Sequence, residues 1–382
     1  MIGSDIYIAV PASGSLKIHG TDPLAEECIS QLTATSYYEC DREIADSLAR
    51  SVVGPVEVAY MDDEYDGRVQ EWMSGFAYYT YQQVSNLGVL QIVLPGCDWE
   101  DTQIGDMVAS GHVTLRAEGK EYSLGDYLIS LGLTRCGRVR SIFCNDITVD
   151  KSSIPYLLAG ESGNSEHFRY KIRENVFGRI EDLNFAQFDF YEVYASPRGM
   201  VYLPRDFSED YRENIEDEVL ALFICEIAIL QNAAVSRINN RIKEELLANS
   251  NISSRETLQI QIEYGKTVLL WDNNIFHSYL AQKVSDRLVT AFETDRLMQE
   301  YEKNDEHIKE IAALKSGIAA QIEGRILNVV AVVLSVFQIL QFCAEIENYI
   351  YDKSFQHGSM AISSLIVLGL IWLAVYESRR RK

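Results

Sequence analysis

The sequence predicts an α/β domain followed by long helices and a two-helix transmembrane hairpin. Three observations carry this. Strand-like runs separated by turn signals fill residues 1–205, helical patterning takes over from about 208, and two uncharged apolar stretches lie near the C-terminus.

The 382 residues include 34 Lys+Arg against 56 Asp+Glu, a formal net charge of −22, and 47% are hydrophobic. Such an apolar content excludes a disordered chain. Seven cysteines in a chain of this length exclude a disulfide-stapled miniature, and their irregular spacing without CxxC suits a reducing compartment. The acidic balance argues against nucleic acid as a partner, because phosphate contacts need clustered Lys and Arg.

Expected strands are Ile6–Val10, Val56–Tyr60, Val89–Leu94, Val113–Ala117, Tyr191–Ala195 and Met200–Leu203, the last following a turn at Pro197. Residues Tyr122–Leu131 read as a turn leading into a helix. Gly160–Ser165 reads as a loop, and a boundary near 150 is weakly marked. Val219–Leu230 carries Glu226 as its only charge. Twelve residues are too short to span a membrane, so a buried helix is expected, with Arg237–Leu247 continuing toward solvent. Ser253 and Glu256 form a capping box, and Trp271–Asn274 is a second helix start, with Asp272 or an Asn as cap.

No Pro occurs from there to Cys343, and Gly appears only at 317 and 324. One continuous helix of roughly 70 residues, about 105 Å long, is therefore expected. Its apolar positions Ile308, Ile311, Ile318, Ile322 and Val329 follow a 3/4 spacing, with Lys315 and Arg325 in intervening slots. Such a seam needs other helices to cover it, and neighbouring subunits are the favoured cover.

Ile326–Cys343 and Met360–Tyr376 hold eighteen and seventeen residues without a charge. Each reaches roughly 26 Å, enough for a bilayer core. Residues 344–359 join them as an outer loop and 377–382 form a basic tail, while 206–325 make up the helical region with its long stalk. Arg325 precedes the first span, and Arg379, Arg380, Arg381 and Lys382 follow the second. Positive charge on that side places both termini in the cytoplasm of an inner or plasma membrane. The first 325 residues carry 29 basic and 52 acidic groups.

Catalytic motifs do not assemble. Gly265-Lys266-Thr267 resembles the end of a P-loop, but Ile260 stands where the first Gly is needed to let backbone amides approach phosphate. Glu161, Glu166 and His167 read as a solvated loop, and Asp146 and Asp150 near Cys144 as turn residues. No nucleophile, base and orienting group stand at matched spacing, so no enzyme activity is expected.

Three features point elsewhere. Asn328, Ala331, Ser335 and Gln338 share one face of the first span, and Gln341 extends it. Polar groups in a membrane helix are retained where they face protein or water, which suits either a pore lining or helix–helix hydrogen bonds. Glu345 and Glu347 stand just beyond this span, where a ring of subunits would concentrate negative charge at an outer mouth. Glu302, Glu306 and Glu310 recur at i, i+4 and i+8, within a stretch of seven acids and three bases from Glu293 to Glu310. A divalent cation such as Mg²⁺ could relieve their repulsion and act as a regulatory ligand; ordinary solvation of a helix face is the plainer reading.

This layout resembles the CorA-like metal-ion transporter superfamily over roughly residues 205–382. The carriers are the acidic α/β front domain, the long helix running into a first span, the short outer loop, the second span and the basic tail. The resemblance implies a funnel-shaped homopentamer whose first spans line a cation pore, with Asn328, Ser335 and Gln338 at pore-lining positions and Arg379–Lys382 at the cytoplasmic membrane face. The family's Gly-Met-Asn signature at the outer end of the first span is absent. Cys343-Ala-Glu-Ile-Glu-Asn348 stands there instead. Two other functions stay open. One is a pore effector of the bacterial defence type, gated by a small molecule. The other is a membrane-tethered enzyme or scaffold without transport.

Overall fold

The structure is a computed structural model that describes residues 5–17, 20–61, 70–96, 108, 113–144, 154–159, 184–187, 191–204, 211–248, 254–269, 275–352 and 369. The chain divides into two units, Met1–Glu306 and His307–Lys382.

In the first unit, an 11-stranded sheet runs in the order β6-β5-β2-β3-β4-β1-β8-β11-β10-β9, with β7 pairing to β1. The strands are β1 (Asp5–Ser13), β2 (Leu48–Met61), β3 (Gln70–Gln82), β4 (Leu87–Leu94), β5 (Thr114–Ala117), β6 (Lys120–Ser123), β7 (Thr134–Arg135), β8 (Arg140–Cys144), β9 (Asn184–Gln187), β10 (Tyr191–Ser196) and β11 (Gly199–Pro204). Among the described strands every pairing is antiparallel except β8 with β11. The six expected strands are all present. β3 and β8, which the sequence reading passed over, are central ones.

Two apolar layers explain why the strands read as nearly continuous hydrophobic runs. Ile6, Ile8, Val10 and Phe143 face one core, closed by α3 (Leu124–Leu131) and α4 (Ile154–Ala159). Tyr7, Ala9, Tyr78 and Ile142 face the other, closed by α1 (Pro23–Glu39), α5 (Tyr211–Ala248) and α7 (Tyr279–Ala291). A sheet covered on both sides loses the polar alternation of a half-exposed one. A short helix, α2 (Arg42–Ser47), leads into β2.

Local chemistry sets the helix ends. Asp22 Oδ1 accepts the amides of Leu24 and Ala25 at 3.0 and 3.1 Å, and Pro23 opens α1. Ser123 caps α3 by accepting the Asp126 amide at 3.1 Å. Gly132 stops α3 at φ 81°, a left-handed conformation that glycine adopts without a Cβ clash.

After the sheet the chain is helical: α5, α6 (Ser254–Leu269), α7 and α8 (Thr294–Asp352). Two helices are long and apolar enough to cross a membrane, Glu216–Glu244 and Gln321–Ala344. They differ in surroundings. The first lies within α5, and its most apolar 18-residue stretch is 89% buried in the sheet domain; the second lies within α8, and none of it is buried among the described residues. Burial between sheet and flanking helices accounts for the composition of the first, as expected of Val219–Leu230. Its continuation is two-sided: Arg237 and Lys243 are exposed while Ile238 and Ile242 are buried.

The single 70-residue helix is corrected. Its expected start, Trp271–Asn274, lies outside the described residues, as does the cap Ser253. The observed cap of α7 is Ser278, which accepts the Ala281 amide at 3.1 Å. The helix then breaks at Phe292–Glu293, so α8 holds 59 residues, roughly 90 Å. At its far end α8 continues to Asp352, past the residue where an outer loop was expected to begin. No Pro or Gly interrupts residues 344–352. The second span 360–376, apart from Gly369, and the tail Arg379–Lys382 lie outside the described residues, as do the boundary at 150, the loop 160–165, Asp146, Asp150, Glu161, Glu166 and His167.

Candidate functional site

The break between α7 and α8 is fixed from the sheet. Glu293 sits at φ 61°, a left-handed conformation that costs a non-glycine residue roughly 1–2 kcal/mol. Tertiary contacts on either side offset that cost. Asn232 of α5 donates through Nδ2 to the Phe292 carbonyl at 2.9 Å and to Thr294 Oγ1 at 3.1 Å. Its Oδ1 accepts from Arg140 Nη2 of β8 at 2.9 Å. The Arg140 guanidinium, almost wholly buried, also lies 4.3 Å from the centre of the Phe292 ring. Burial lowers the Arg140 pKa to about 10, still charged at neutral pH.

Beyond this elbow, the first turns of α8 are strapped to α5 and α6. Asn239 Nδ2 donates to the Leu297 carbonyl at 2.8 Å, and Lys243 Nζ pairs with Glu300 at 2.6 Å. Gln261 Nε2 donates to Asp305 Oδ1 at 2.8 Å, and Tyr264 stacks on Tyr301 with ring centres 3.5 Å apart. Side chains spaced along α5 and α6 thus grip successive turns of one helix.

A second polar feature lies under α5. The register sets Arg50 opposite Thr80 and, two residues along β3, Tyr78 opposite Gln91, with Ala9 between Gln91 and Arg140, so several polar side chains share this face of the sheet. Glu226 of α5 closes one end. Its Oε2 lies 3.5 Å from Arg50 Nη2, with both side chains 1% exposed, and its Oε1 accepts from Thr80 Oγ1 at 3.1 Å. The pair is in close ionic contact, Tyr78 Oη interacts with the same carboxylate, and both polar atoms of Gln91 have no hydrogen-bond partner among the described residues. Burial raises the Glu226 pKa; the Arg50 charge and the hydrogen bonds from Thr80 and Tyr78 oppose that rise. The sequence signal for this pair is a lone acid inside an apolar helix; nothing local marks Arg50 in its strand as the partner.

The expected membrane residues fall on the exposed part of α8. Asn328, Ala331, Gln338 and Gln341 are exposed and Ser335 is half-buried. Ser335 Oγ donates to the Ala331 carbonyl at 2.7 Å, so its proton is satisfied within the helix and calls for no neighbour. The face is ringed by exposed apolar side chains, including Val332, Val333, Phe337 and Leu340. Arg325 is exposed at the near end; Glu345 and Glu347 lie on α8, with side chains outside those described. Val329 and Ile322 of the expected seam are exposed, whereas Ile308 is buried.

Glu302, Glu306 and Glu310 all have exposed side chains, and Glu310 pairs with His307 at 3.7 Å. Among the described residues no group of three His, Cys, Asp or Glu could hold a metal ion. Gly265–Thr267 lie inside α6, where helical backbone offers no phosphate cradle. Cys144 is buried, and burial raises its pKa.

No family model matches this chain, no curated protein is similar to it in sequence, and no solved structure matches its fold.

Proposed function

We propose that this chain is the subunit of a homo-oligomeric cation channel or transporter of CorA-like plan, with both termini in the cytoplasm and flux controlled by the sheet domain. The observation that carries the reading is the composition of α8. One helix begins under Asn232, Asn239 and Gln261 and carries a 24-residue apolar segment, Gln321–Ala344, none of which is buried among the described residues. A bilayer covers the apolar sides of such a segment. The polar sector at Asn328 and Gln338, with Ser335 on the same face, requires protein or water, and two spans per chain need several copies to enclose it. A pentamer satisfies both demands, with Glu345 and Glu347 gathering cations at the outer end. A divalent cation such as Mg²⁺ at Glu302, Glu306 and Glu310 would act between subunits.

A second reading is favoured by the sequence Cys343-Ala-Glu-Ile-Glu-Asn348 in place of Gly-Met-Asn. A poorly selective pore opened by a small molecule needs no Mg²⁺-receiving signature.

The test joins mass and flux. Detergent-solubilised protein is sized with and without millimolar Mg²⁺, then reconstituted in vesicles and assayed for cation flux with Gln338→Leu and Asn328→Leu. A pentamer whose flux changes in these variants, with assembly intact, supports the channel. A monomer or dimer, or flux indifferent to both substitutions, removes the pore and leaves a tethered scaffold. Flux of both Na⁺ and Mg²⁺ favours the second reading over a selective transporter.

A further inference from the structure

The acidic surplus of this chain is uneven. Gly132–Cys144 holds three Arg and no acid, Ala195–Pro204 one Arg and no acid, and Ile227–Lys243 three bases and no acid, in a sequence with 56 acids against 34 bases. The fold brings these three stretches to one end of the sheet. Arg135 stands opposite Ala12 near the close of β1, β8 opens at Arg140, and Gly199 opens β11 beside Ser141. The Arg198 carbonyl accepts the Ser141 amide at 3.1 Å, and the Arg138 carbonyl accepts from Arg140 Nη1 at 3.3 Å. A Cβ at Gly137 would lie 3.5 Å from that of Ala233, one turn of α5 before Arg237. Arg237 is near enough to Cys136 for its charge to oppose the rise that burial gives the thiol pKa.

Arg135, Arg138, Arg198 and Arg237 are exposed, and among the described residues their guanidinium groups have no carboxylate or hydrogen-bond partner. Arg241 and Lys243, further along α5, are already paired with Glu263 and Glu300. Beneath the loop, buried Arg140 is held by neutral groups: the Arg138 carbonyl, Asn232 Oδ1 and the Phe292 ring. Glu293 also acts on Arg140, but its carboxylate is engaged by Arg296 at 3.1 Å. A cation compensated by neutral dipoles keeps its field, which adds to that of the exposed arginines. Like charges gathered in this way repel one another, and an anion seated among them relieves the repulsion.

We propose that this end of the sheet binds a multiply charged phosphate anion, free as a polyphosphate or carried on a lipid headgroup, through the guanidinium groups of Arg135, Arg138, Arg198 and Arg237. Planar guanidinium forks donate paired hydrogen bonds to phosphate oxygens, which a flexible ammonium matches less well. Such binding goes beyond the proposed pore and does not depend on it.

The experiment is calorimetric titration of the full chain in detergent, without divalent cations. Inorganic tripolyphosphate probes the free source and dihexanoyl phosphatidic acid the headgroup source. Sodium chloride at matched ionic strength controls for screening, and dihexanoyl phosphatidylcholine for the acyl chains. Saturable binding of at least one phosphate probe and of neither control is expected, weakening as salt rises. Tripolyphosphate alone would assign a free ligand and phosphatidic acid alone a headgroup; binding of both would show that the phosphate group itself is held. Arg138→Gln and Arg237→Gln should each weaken binding about tenfold. Lys120→Gln, on β6, should leave it unchanged. Each arginine variant removes a repelling charge, so the melting temperature of the free protein should hold or rise, which separates lost binding from lost folding. No saturable binding of either probe at millimolar concentration would overturn the proposal, as would an equal loss in Lys120→Gln or undiminished binding in both arginine variants.

Discussion

Asn232 of α5 donates to Thr294, the first residue of α8, across 3.1 Å, and the same amide group holds the Phe292 carbonyl. With its oxygen bound to Arg140, one buried side chain ties sheet, core helix and long helix together. Replacing it by Leu leaves a guanidinium, a carbonyl and a hydroxyl short of a partner. Asn232→Leu should destabilise the chain by about 2–4 kcal/mol, whereas Asn239→Leu, which frees only the Leu297 carbonyl, should cost about 1 kcal/mol. Thermal unfolding of both variants in detergent checks the ranking; equal losses would deny Asn232 its special place.

The Arg50–Glu226 pair makes a non-additive prediction. Glu226→Leu strands a buried guanidinium and should cost about 3–5 kcal/mol. Arg50→Met with Glu226→Leu removes both charges and should recover most of that loss. Denaturant midpoints of the singles and the double measure the coupling, and simple additivity would show that the two charges do not interact.

Asp5 carries a pH dependence. Its Oδ1 accepts the Gly96 amide at 3.0 Å, yet burial raises its pKa from 3.8 to about 6. The acid is favoured in the fold, so its contribution is complete below pH 3.8 and is lost as pH rises through 6. Asp5→Asn should flatten the stability profile between these values and gain about 2 kcal/mol at neutral pH. Urea midpoints across that range read it directly.

His277 has the opposite consequence for charge. Its Nε2 lies 3.1 Å from Asp41 Oδ1 and its Nδ1 3.2 Å from the Tyr38 carbonyl, two acceptors that ask both ring nitrogens to donate. The hydrogen bond to Asp41 raises its pKa above 6.5. The imidazolium contact is complete below pH 6.5 and fades as pH climbs through the raised value. An imidazole titration by NMR should show the elevated pKa, and Asp41→Asn should bring it back down. An unchanged titration in that variant would leave Asp41 without the assigned role.

Val332 is 57% exposed within the apolar segment. Val332→Arg places a charge near the middle of the span, at about 2.5–3.5 kcal/mol on insertion scales. Full chains bearing it should be extracted more readily from membranes by alkaline carbonate. Equal retention of variant and parent would count against insertion of α8.

The sequence made several elements legible because their signals are local. Gly132 after Leu131, Ser123 before Leu124 and the uncharged run Ile326–Cys343 each act through neighbouring residues, by backbone conformation, capping or hydrophobicity. Asp22 and Pro23 are equally local signals, and they mark the start of α1, a helix absent from the expectations above. β3 was harder to see, because Gly75 and polar residues interrupt its pattern and long pairings with β2 and β4 hold it in place.

By itself, the sequence determined the order of sheet before helices, the buried character of Val219–Leu230 and the apolar segment of α8, all consequences of composition along the chain. Only the tertiary structure decided that the long helix breaks at Glu293, that Glu226 answers Arg50, and that Arg138, Arg198 and Arg237 gather at one end of the sheet. The physical reason is distance along the chain. Arg140, Asn232 and Thr294 meet only once β8 lies beneath α5, and no window of neighbouring residues contains the hydrogen bonds that hold a left-handed glutamate in place.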